Sequence, residues 1–358
     1  MHQTTTFSNA LIHWYLRNKR DLPWRKTTNP YHIWLSEIIL QQTRVEQGYD
    51  YYLRFIMQFP TVFDLANSPE QEVLNLWQGL GYYSRARNLH FSAKYIVEEL
   101  NGVFPSTYDE ILKLKGVGDY TASAIASICF NEPTAVVDGN VYRGLSRYFG
   151  ISTPINSTKG IKEFKILAQF LINHSNPATH NQAIMEFGAR MCKPQNPLCT
   201  ECPFNESCFA LAKNKIKELP VKEKKIKIKK RHFNYLVLFT PKNKTIINQR
   251  IGKGIWQNLY EFPLIESKKK IDEIELIEHN TFKELFENKN TIIRLFNTEE
   301  KVHKLSHQHL YTQFWIVKID AEISNTTDWN KLEEFPIPRL IDNFINEIKQ
   351  TEIFSTFE

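Results

Sequence analysis

Apolar residues recur at helical spacing from about residue 7 to residue 212. Phe7, Leu11, Trp14 and Tyr15 fall on one helical face, and so do Val73, Leu74, Trp77 and Leu80. Pro60, Pro69, Gly102 and Pro105 fall between such runs and predict the loops that separate helices. The segment Ile33 to Leu40 is apolar nearly all round, which predicts a buried helix, and Glu37 sits inside it. A basic stretch follows, Lys213 to Lys217 and then Lys222 to Arg231. Beyond it the period changes to two. Phe233, Tyr235, Val237 and Phe239 alternate as in a strand, and Ile255-Trp256 through Phe262-Pro263 and Phe314 to Val317 predict further strands. Leu340, Ile341, Phe344, Ile345 and Ile348 predict a closing amphipathic helix. The pattern thus predicts a multidomain protein: an all-α region over residues 1–212, a basic linker over 213–231, and a smaller α/β domain over 232–358. No internal repeat or low-complexity tract interrupts it.

Composition narrows the class. A chain of 358 residues, 42% hydrophobic and 13% aromatic, suits two or three packed domains. No stretch has the length of a membrane span, and Met1 to Thr6 lack the basic-then-apolar pattern of a signal peptide, so no membrane role and a cytoplasmic location are expected. The formal charge of +6 is compatible with a polyanionic partner. The basic stretch reads equally well as a solvated linker or as a contact tracking a nucleic-acid backbone. Five cysteines, an odd number, argue against a disulfide framework. Cys129 lies in the apolar run Ala126 to Phe130 and reads as a buried structural thiol.

The other four cysteines carry the first chemical signal. Cys192, Cys199, Cys202 and Cys208 are spaced C-x6-C-x2-C-x5-C. Four thiolates in so short a window can wrap one metal centre, and soft sulfur suits an iron–sulfur cluster or zinc. Zinc ribbons favour two C-x2-C pairs, and here there is one, so both metals stay open on spacing alone. A second signal is Gly116-Val117-Gly118 before a helical run. Two glycines there permit a tight turn whose N–H groups can hold a phosphate, although a plain helix–helix turn has the same sequence.

Two acids complete the set. A carboxyl buried at Glu37 is either a structural acid paired with a cation or a group with a raised pKa, suited to general acid work. Asp138, in Val137-Asp138-Gly139-Asn140, is either a helix N-cap or a carboxylate that stabilises positive charge. One acid and one carboxylate form the pairing that glycoside cleavage through an oxocarbenium-like sugar requires.

With these residues in view, the chain resembles the MutY-type adenine DNA glycosylases of the endonuclease III-like helix-hairpin-helix superfamily. The resemblance rests on separated motifs in order: Leu22-Pro23-Trp24-Arg25, Ser36-Glu37 with Leu40-Gln41-Gln42-Thr43, Gln78 to Arg85, the Gly116–Thr121 hairpin, Val137 to Asn140, and the cysteine spacing. It runs from about residue 7 to 212 and continues more weakly to the C-terminus. It implies an all-α helix-hairpin-helix glycosylase core with an iron–sulfur cluster domain, plus a C-terminal α/β Nudix-like domain. The six-helix part would span about 23–133 and the cluster domain 1–22 with 134–212.

The resemblance also implies roles. Cys192, Cys199, Cys202 and Cys208 would hold a structural [4Fe–4S] cluster that aids DNA binding. Glu37 would protonate the departing adenine, Asp138 would face the sugar, and Tyr120 and Asn140 would lie beside them. Trp24, Arg25 and Glu186 would form the adenine pocket. Gln42 and Tyr82 would insert into the base stack, offsetting part of the unstacking cost. Lys115, Gly116, Val117 and Gly118 would hold the DNA backbone. Tyr120 stands where bifunctional relatives have a Schiff-base lysine, so a monofunctional enzyme with little lyase activity is expected.

The chain departs from the family at three points. In the hairpin, Lys115 and Asp119 replace prolines; the lysine favours phosphate and the aspartate adds negative charge near its path. In the lesion-recognition loop, Leu305-Ser306-His307 replaces Phe-Ser-His, with His303 just before. The carboxylate cluster of Nudix hydrolases is missing from the sequence, so no nucleotide hydrolysis is expected. The implied partner is double-stranded DNA with an adenine opposite 8-oxoguanine or guanine, bound by a nucleoid-associated monomer. Two other readings compete: an endonuclease III-like enzyme for oxidised pyrimidines, and a non-catalytic DNA binder using a cluster as a redox switch.

Overall fold

The computed structural model describes residues 2–223 and 228–351, with side chains from Thr6 onward. Contacts along the backbone divide the chain into two compact units, Met1–Ser68 with Asn88–Lys224, and Pro69–Arg87 with Lys225–Glu358. In chain order the helices before residue 213 are α1 (His2–Asn18), α2 (Pro30–Leu40), α3 (Val45–Gln58), α4 (Val62–Asn67), α5 (Glu70–Leu76), α6 (Ser84–Glu98), α7 (Tyr108–Ile111), α8 (Asp119–Phe130), α9 (Gly139–Phe149), α10 (Thr158–Leu171), α11 (Pro177–Arg190) and α12 (Phe209–Ala212).

In the first unit α11 is the hub. It packs on α1, α8 and α9, and α2 packs on α8 and α3. The helical face read at Phe7, Leu11, Trp14 and Tyr15 is the buried face of α1. The Asn29 side chain starts α2 by accepting from the N–H groups of Tyr31 and His32, and Pro30 occupies the first turn, where its missing N–H costs nothing. Every residue from Ile33 to Ile39 is buried, so the helix carries Glu37 into the core as its sequence predicts. Small residues on α8, among them Ala122, Ser123, Ala126 and Ser127, are buried and allow close approach of neighbouring helices.

Most described residues of the basic stretch are exposed, but it is fastened to the first unit at two points. Leu219 is buried, its carbonyl accepts from Arg147 Nε at 3.0 Å, and the Val221 carbonyl accepts from the Ile155 N–H at 3.0 Å. Residues 224–227 of that stretch lie outside the described residues.

The second unit contains α5 and the turn after it, then β1 (Lys229–Phe239), β2 (Lys244–Thr245), β3 (Asn248–Gln249), β4 (Tyr260–Glu261), β5 (Leu264–Ser267), α13 (Glu273–Ile277), α14 (Asn280–Phe286), β6 (Thr291–Leu295), β7 (Lys301–Lys304), β8 (Gln308–Ile319), β9 (Thr327–Asp328) and α15 (Arg339–Ile348). The main sheet runs β5-β1-β8-β6, and β7 also pairs with β8. β1 and β8 are parallel, with Tyr235 opposite Phe314, and the other pairs are antiparallel.

The strand read at Phe233, Tyr235, Val237 and Phe239 forms as part of β1, and Leu236 and Leu238 between them are equally buried. The reason is cover on both faces. Leu236, Leu238 and Trp315 pack with Phe282 and Phe286 of α14, while Phe314 on the other face stacks on Phe344 of α15 at 4.0 Å. A parallel pair buried on both sides has an almost continuous apolar run. The strand expected from Ile255 to Pro263 shrinks to Tyr260–Glu261, because Trp256 and Asn258 adopt left-handed φ angles of 58° and 64°, which no strand accommodates. No described helix is long and apolar enough to cross a membrane.

Candidate active site

Four helices of the first unit bring their functional residues to one cavity of about 210 Å³, lined by Trp24, Arg25, Glu37, Tyr120, Asp138, Asn140 and Glu186 among others. α2 supplies Glu37, α8 Tyr120, the start of α9 Asp138 and Asn140, and α11 Glu186. Burial pushes the Glu37 carboxyl up to about 7; Asp138 nearby raises it further, while the Tyr120 hydroxyl and Arg25 pull it down. Such a carboxyl holds its proton near neutrality in a place where a proton can be given away. Tyr120 donates from its hydroxyl to Met185 Sδ at 3.0 Å and lies against Glu37. Burial lifts its phenol far above the ordinary range, so it stays neutral.

Both readings of Asp138 hold at once. Its Oδ1 caps α9, accepting from the N–H groups of Asn140 at 2.9 Å and Val141 at 2.8 Å. Its Oδ2 accepts from Asn140 Nδ2 at 2.7 Å, and the side chain lines the cavity. Burial raises its pKa, against the N–H of Val141, the amide of Asn140 and the charge of Arg143. Both carboxyls are desolvated in one cavity and differ in their donors: Glu37 faces the Tyr120 hydroxyl, while Asp138 accepts from N–H groups at a helix N-terminus.

Glu186 lines the cavity and is held by two arginines. Arg20 donates to it through N at 3.1 Å, Nε at 2.8 Å and Nη2 at 2.6 Å, and Arg25 Nη2 donates at 2.7 Å. Although burial pushes Glu186 up, these cations hold it down at about 2. Four donors fill a carboxylate's acceptor positions, so Glu186 orients Arg25 and offers no spare acceptor. Trp24 is buried, edge-on to Tyr52 at 5.2 Å.

The sequence reading missed Arg20 and Arg143. Arg143 donates to the carbonyls of Cys192 (2.7 Å) and Gly188 (2.6 Å) and to Asn140 Oδ1 (2.8 Å), tying the Asp138 turn to the cysteine segment. Gly188 has to be glycine, since a Cβ there would come within 2.7 Å of the Asn140 carbonyl oxygen. No short motif marks these residues: Arg143 is a basic side chain at an interior position of α9, while Arg20 lies just after α1, outside any periodic run.

Cys192, Cys199, Cys202 and Cys208 all line a second pocket, walled by Phe7, Tyr148 and Phe204. Burial and the neighbouring thiols raise Cys199 and Cys202, the latter to about 11, as expected of sulfurs close together. Arg147 Nη1 lies 3.4 Å from Cys192 Sγ. Among the described residues no group of three or more His, Cys, Asp or Glu side chains is gathered tightly enough to hold a metal ion. The donor set, four soft sulfurs around one pocket with a guanidinium beside them, nevertheless suits a thiolate-ligated cluster. Cys129 is half-buried and pushed up to about 12 by burial, an inert thiol.

The hairpin has the geometry its glycines suggest. Gly116 is left-handed at φ 84°, Gly118 precedes α8 as its N-cap, and Lys115, Gly116 and Gly118 are exposed while Val117 is buried. Gln42 is exposed at φ 57°, and Tyr82, in the second unit, is half-exposed at φ 48°. Left-handed backbone is uncommon for such residues and marks strain at both positions. Also within the second unit, the Tyr82 hydroxyl hydrogen-bonds Ser306 Oγ at 2.6 Å. A cavity of about 260 Å³ lies there, lined by Tyr82, Trp256, Leu305, Ser306 and His307. His303 packs 5.8 Å from Trp256, and burial lowers its pKa.

Comparison with known proteins places this architecture. Residues 35–169 match the HhH-GPD superfamily of base excision DNA repair proteins and residues 234–347 match the NUDIX domain. Among solved structures, a thermostable thymine-DNA glycosylase is 29% identical with a TM-score of 0.55, over 59% of this chain and 98% of that one. A trapped endonuclease III–DNA covalent intermediate, 23% identical with a TM-score of 0.52 over 60% of this chain and 97% of its own, shares the fold. The protein is therefore a DNA glycosylase of base excision repair, an enzyme that hydrolyses N-glycosyl bonds, built as a helical core with a C-terminal Nudix-like domain. The adenine DNA glycosylase of Buchnera aphidicola subsp. Baizongia pistaciae is 35% identical over 97% of this chain and 98% of that protein. The human adenine DNA glycosylase is 45% identical over 58% of this chain and 40% of its own. The chain belongs to the adenine DNA glycosylase family.

Proposed function

We propose that the first unit excises adenine mispaired with 8-oxoguanine or guanine, after flipping it from the duplex into the Glu37 cavity. The observation that carries this reading is the pair of unlike carboxyls there: Glu37 pushed up to about 7 and Asp138 held by helix N–H groups. Trp24 and Arg25 hold the base. Glu37 gives its proton to the adenine as the N-glycosidic bond breaks, and the electron pair of that bond leaves with the base. Asp138 stabilises the sugar cation that remains, with Asn140 fixing its Oδ2 and Tyr120 lying against Glu37. Water then adds to C1′ of the sugar cation and gives up a proton, which returns to the Glu37 carboxylate. Tyr120 is a buried neutral phenol with no amine to form a Schiff base, which supports a monofunctional enzyme.

Gln42 and Tyr82, strained and exposed, fill the stack as the base leaves. The hairpin Lys115 to Gly118 holds a backbone phosphate through N–H groups and the lysine charge. In the second unit the loop of Leu305, Ser306 and His307, with His303 behind it, reads the oxidised guanine. Cys192, Cys199, Cys202 and Cys208 would hold a [4Fe–4S] cluster, which fastens the segment after α11 and supports DNA binding. Replacing Cys199 with Ser is expected to lower solubility and remove the visible absorbance of the cluster; a fully coloured, stable variant would remove Cys199 from the ligand set.

Base release measured under single turnover, with and without alkali, tests the reading. Duplexes carry adenine opposite 8-oxoguanine, guanine, cytosine or thymine. Fast release opposite 8-oxoguanine, slower release opposite guanine, none opposite thymine and strand breaks only after alkali are expected. No adenine release from protein with an intact cluster overturns it and points to oxidised pyrimidines or to binding alone.

A further inference from the structure

The hairpin contains a charge of the wrong sign. Asp119 is the first residue of α8, directly after Gly118, where the N–H groups of the helix start point outward. A free carboxylate there repels the phosphate that those groups would attract. The structure deals with this charge locally. Lys165, on α10, places Nζ 2.6 Å from Asp119 Oδ1, and the Tyr108 hydroxyl donates to the same oxygen at 2.5 Å. Lys165 is itself held by Ser123 Oγ and the Ala135 carbonyl, each at 3.4 Å, and its ammonium lies 5.4 Å from the Tyr108 ring centroid. The carboxylate is thus pinned by partners from α7 and α10.

The other flank of the turn has the opposite arrangement. Lys115 rests its ammonium over the exposed Phe91 ring at 4.1 Å, its carbonyl accepts from Ser92 Oγ at 3.0 Å, and Asn88 packs against Gly116. An ammonium over an aromatic face keeps its charge and is held in place. Positive charge is displayed on one side of the turn and negative charge is cancelled on the other.

We propose that Lys165 is a positioning residue for DNA binding that acts through Asp119: it neutralises and turns aside that carboxylate so that the hairpin N–H groups and Lys115 can take a duplex phosphate. This rests on the hairpin reading given above. An ion pair at a half-exposed site adds little to folding stability, so its removal is felt in DNA affinity rather than in the fold.

Binding of the full-length protein to a fully paired duplex, followed by fluorescence anisotropy over a range of salt, tests it. Lys165→Met should weaken binding about fivefold, the order expected for one unscreened charge near a phosphate. Asp119→Asn in the Lys165→Met background should restore affinity to within about twofold of the parent, with the same salt slope, because no phosphate contact is gained or lost. Lys165→Arg should bind as the parent does. Loss that Asp119→Asn does not repair, with a slope reduced by about one, means that Lys165 touches a phosphate itself and overturns the proposal. So does normal binding by Lys165→Met. Lys115→Ala separates the two levels: if it changes neither affinity nor slope, the hairpin reading fails, whereas if it weakens binding while Lys165→Met does not, only the role of Lys165 fails.

Discussion

Replacing Glu37 with glutamine is expected to lower adenine release by about a thousandfold or more while duplex binding stays near that of the parent. The amide keeps the volume and much of the hydrogen bonding of the carboxyl but has no proton to give. The same carboxyl sets the pH profile. Release by the parent should fall at low pH, where Asp138, its pKa raised by burial, takes up a proton; above about pH 7 it should fall about tenfold per unit, since burial holds the Glu37 pKa at about 7. The glutamine variant should lose that limb. Full cleavage by the variant, or an unchanged profile, would end the general-acid assignment.

The variant has a second, independent signature. Glu37 titrates near 7 in the folded protein and near 4.5 in an unfolded chain. Its ionised form therefore opposes folding. The penalty is absent below about pH 4.5, grows through the window up to 7 and is complete above it, at roughly 3 kcal/mol. Glutamine removes the penalty. The variant should melt above the parent at about pH 8, and the gap should close as the pH falls toward 4.5. A structural acid satisfied by a cation behaves in the opposite way, because its loss leaves the partner unpaired. Glu186, held at about 2 by Arg20 and Arg25, is an acid of that kind.

How far the sequence alone could take the site follows from where its determinants lie. Glu37, Asp138 and the four cysteines stand in short segments whose local pattern already suggests chemistry, a buried helix, a cap before a helix and a dense thiol run. The state of Glu186 depends on Arg20, 166 residues away along the chain, and no local pattern records that pairing. Arg143 is the same kind of case, since its partners Cys192 and Gly188 come from α11 and the segment after it. Segments followed the same rule. α1 and α15 were readable because one helical period describes each, and α2 because its run is apolar nearly all round. Trp256 and Asn258 defeated the strand reading because left-handed backbone at non-glycine residues leaves no mark in hydrophobic pattern. Residues 69–87 read as part of the helical region, yet their contacts group them with the C-terminal unit, because membership of a unit is set by long-range packing that periodicity does not encode.

Asp138 offers the sharpest separation of structure from chemistry, because one side chain does both. Asparagine caps helices about as well as aspartate. In Asp138→Asn the Oδ1 atom can still accept from the N–H groups of Asn140 and Val141. The melting temperature should stay within a few degrees of the parent, since loss of a cap costs about 1 kcal/mol and here the cap is kept. Adenine release should nevertheless fall by about a hundredfold to a thousandfold, the size of effect seen when one preorganised electrostatic partner of a developing charge is removed. Two things change at the reacting centre. The negative charge facing the sugar cation is gone, and the new amide nitrogen meets Asn140 Nδ2, donor against donor, where Oδ2 accepted before. Asn140→Ala in the same background isolates the second effect: if the donor clash were the cause, removing it would recover much of the rate, and if the lost charge is the cause the rate stays low. Asp138→Ser, which retains a cap without a second polar atom, should be as slow as the asparagine variant. Near-normal release by either capped variant would leave Asp138 a helix cap and nothing more.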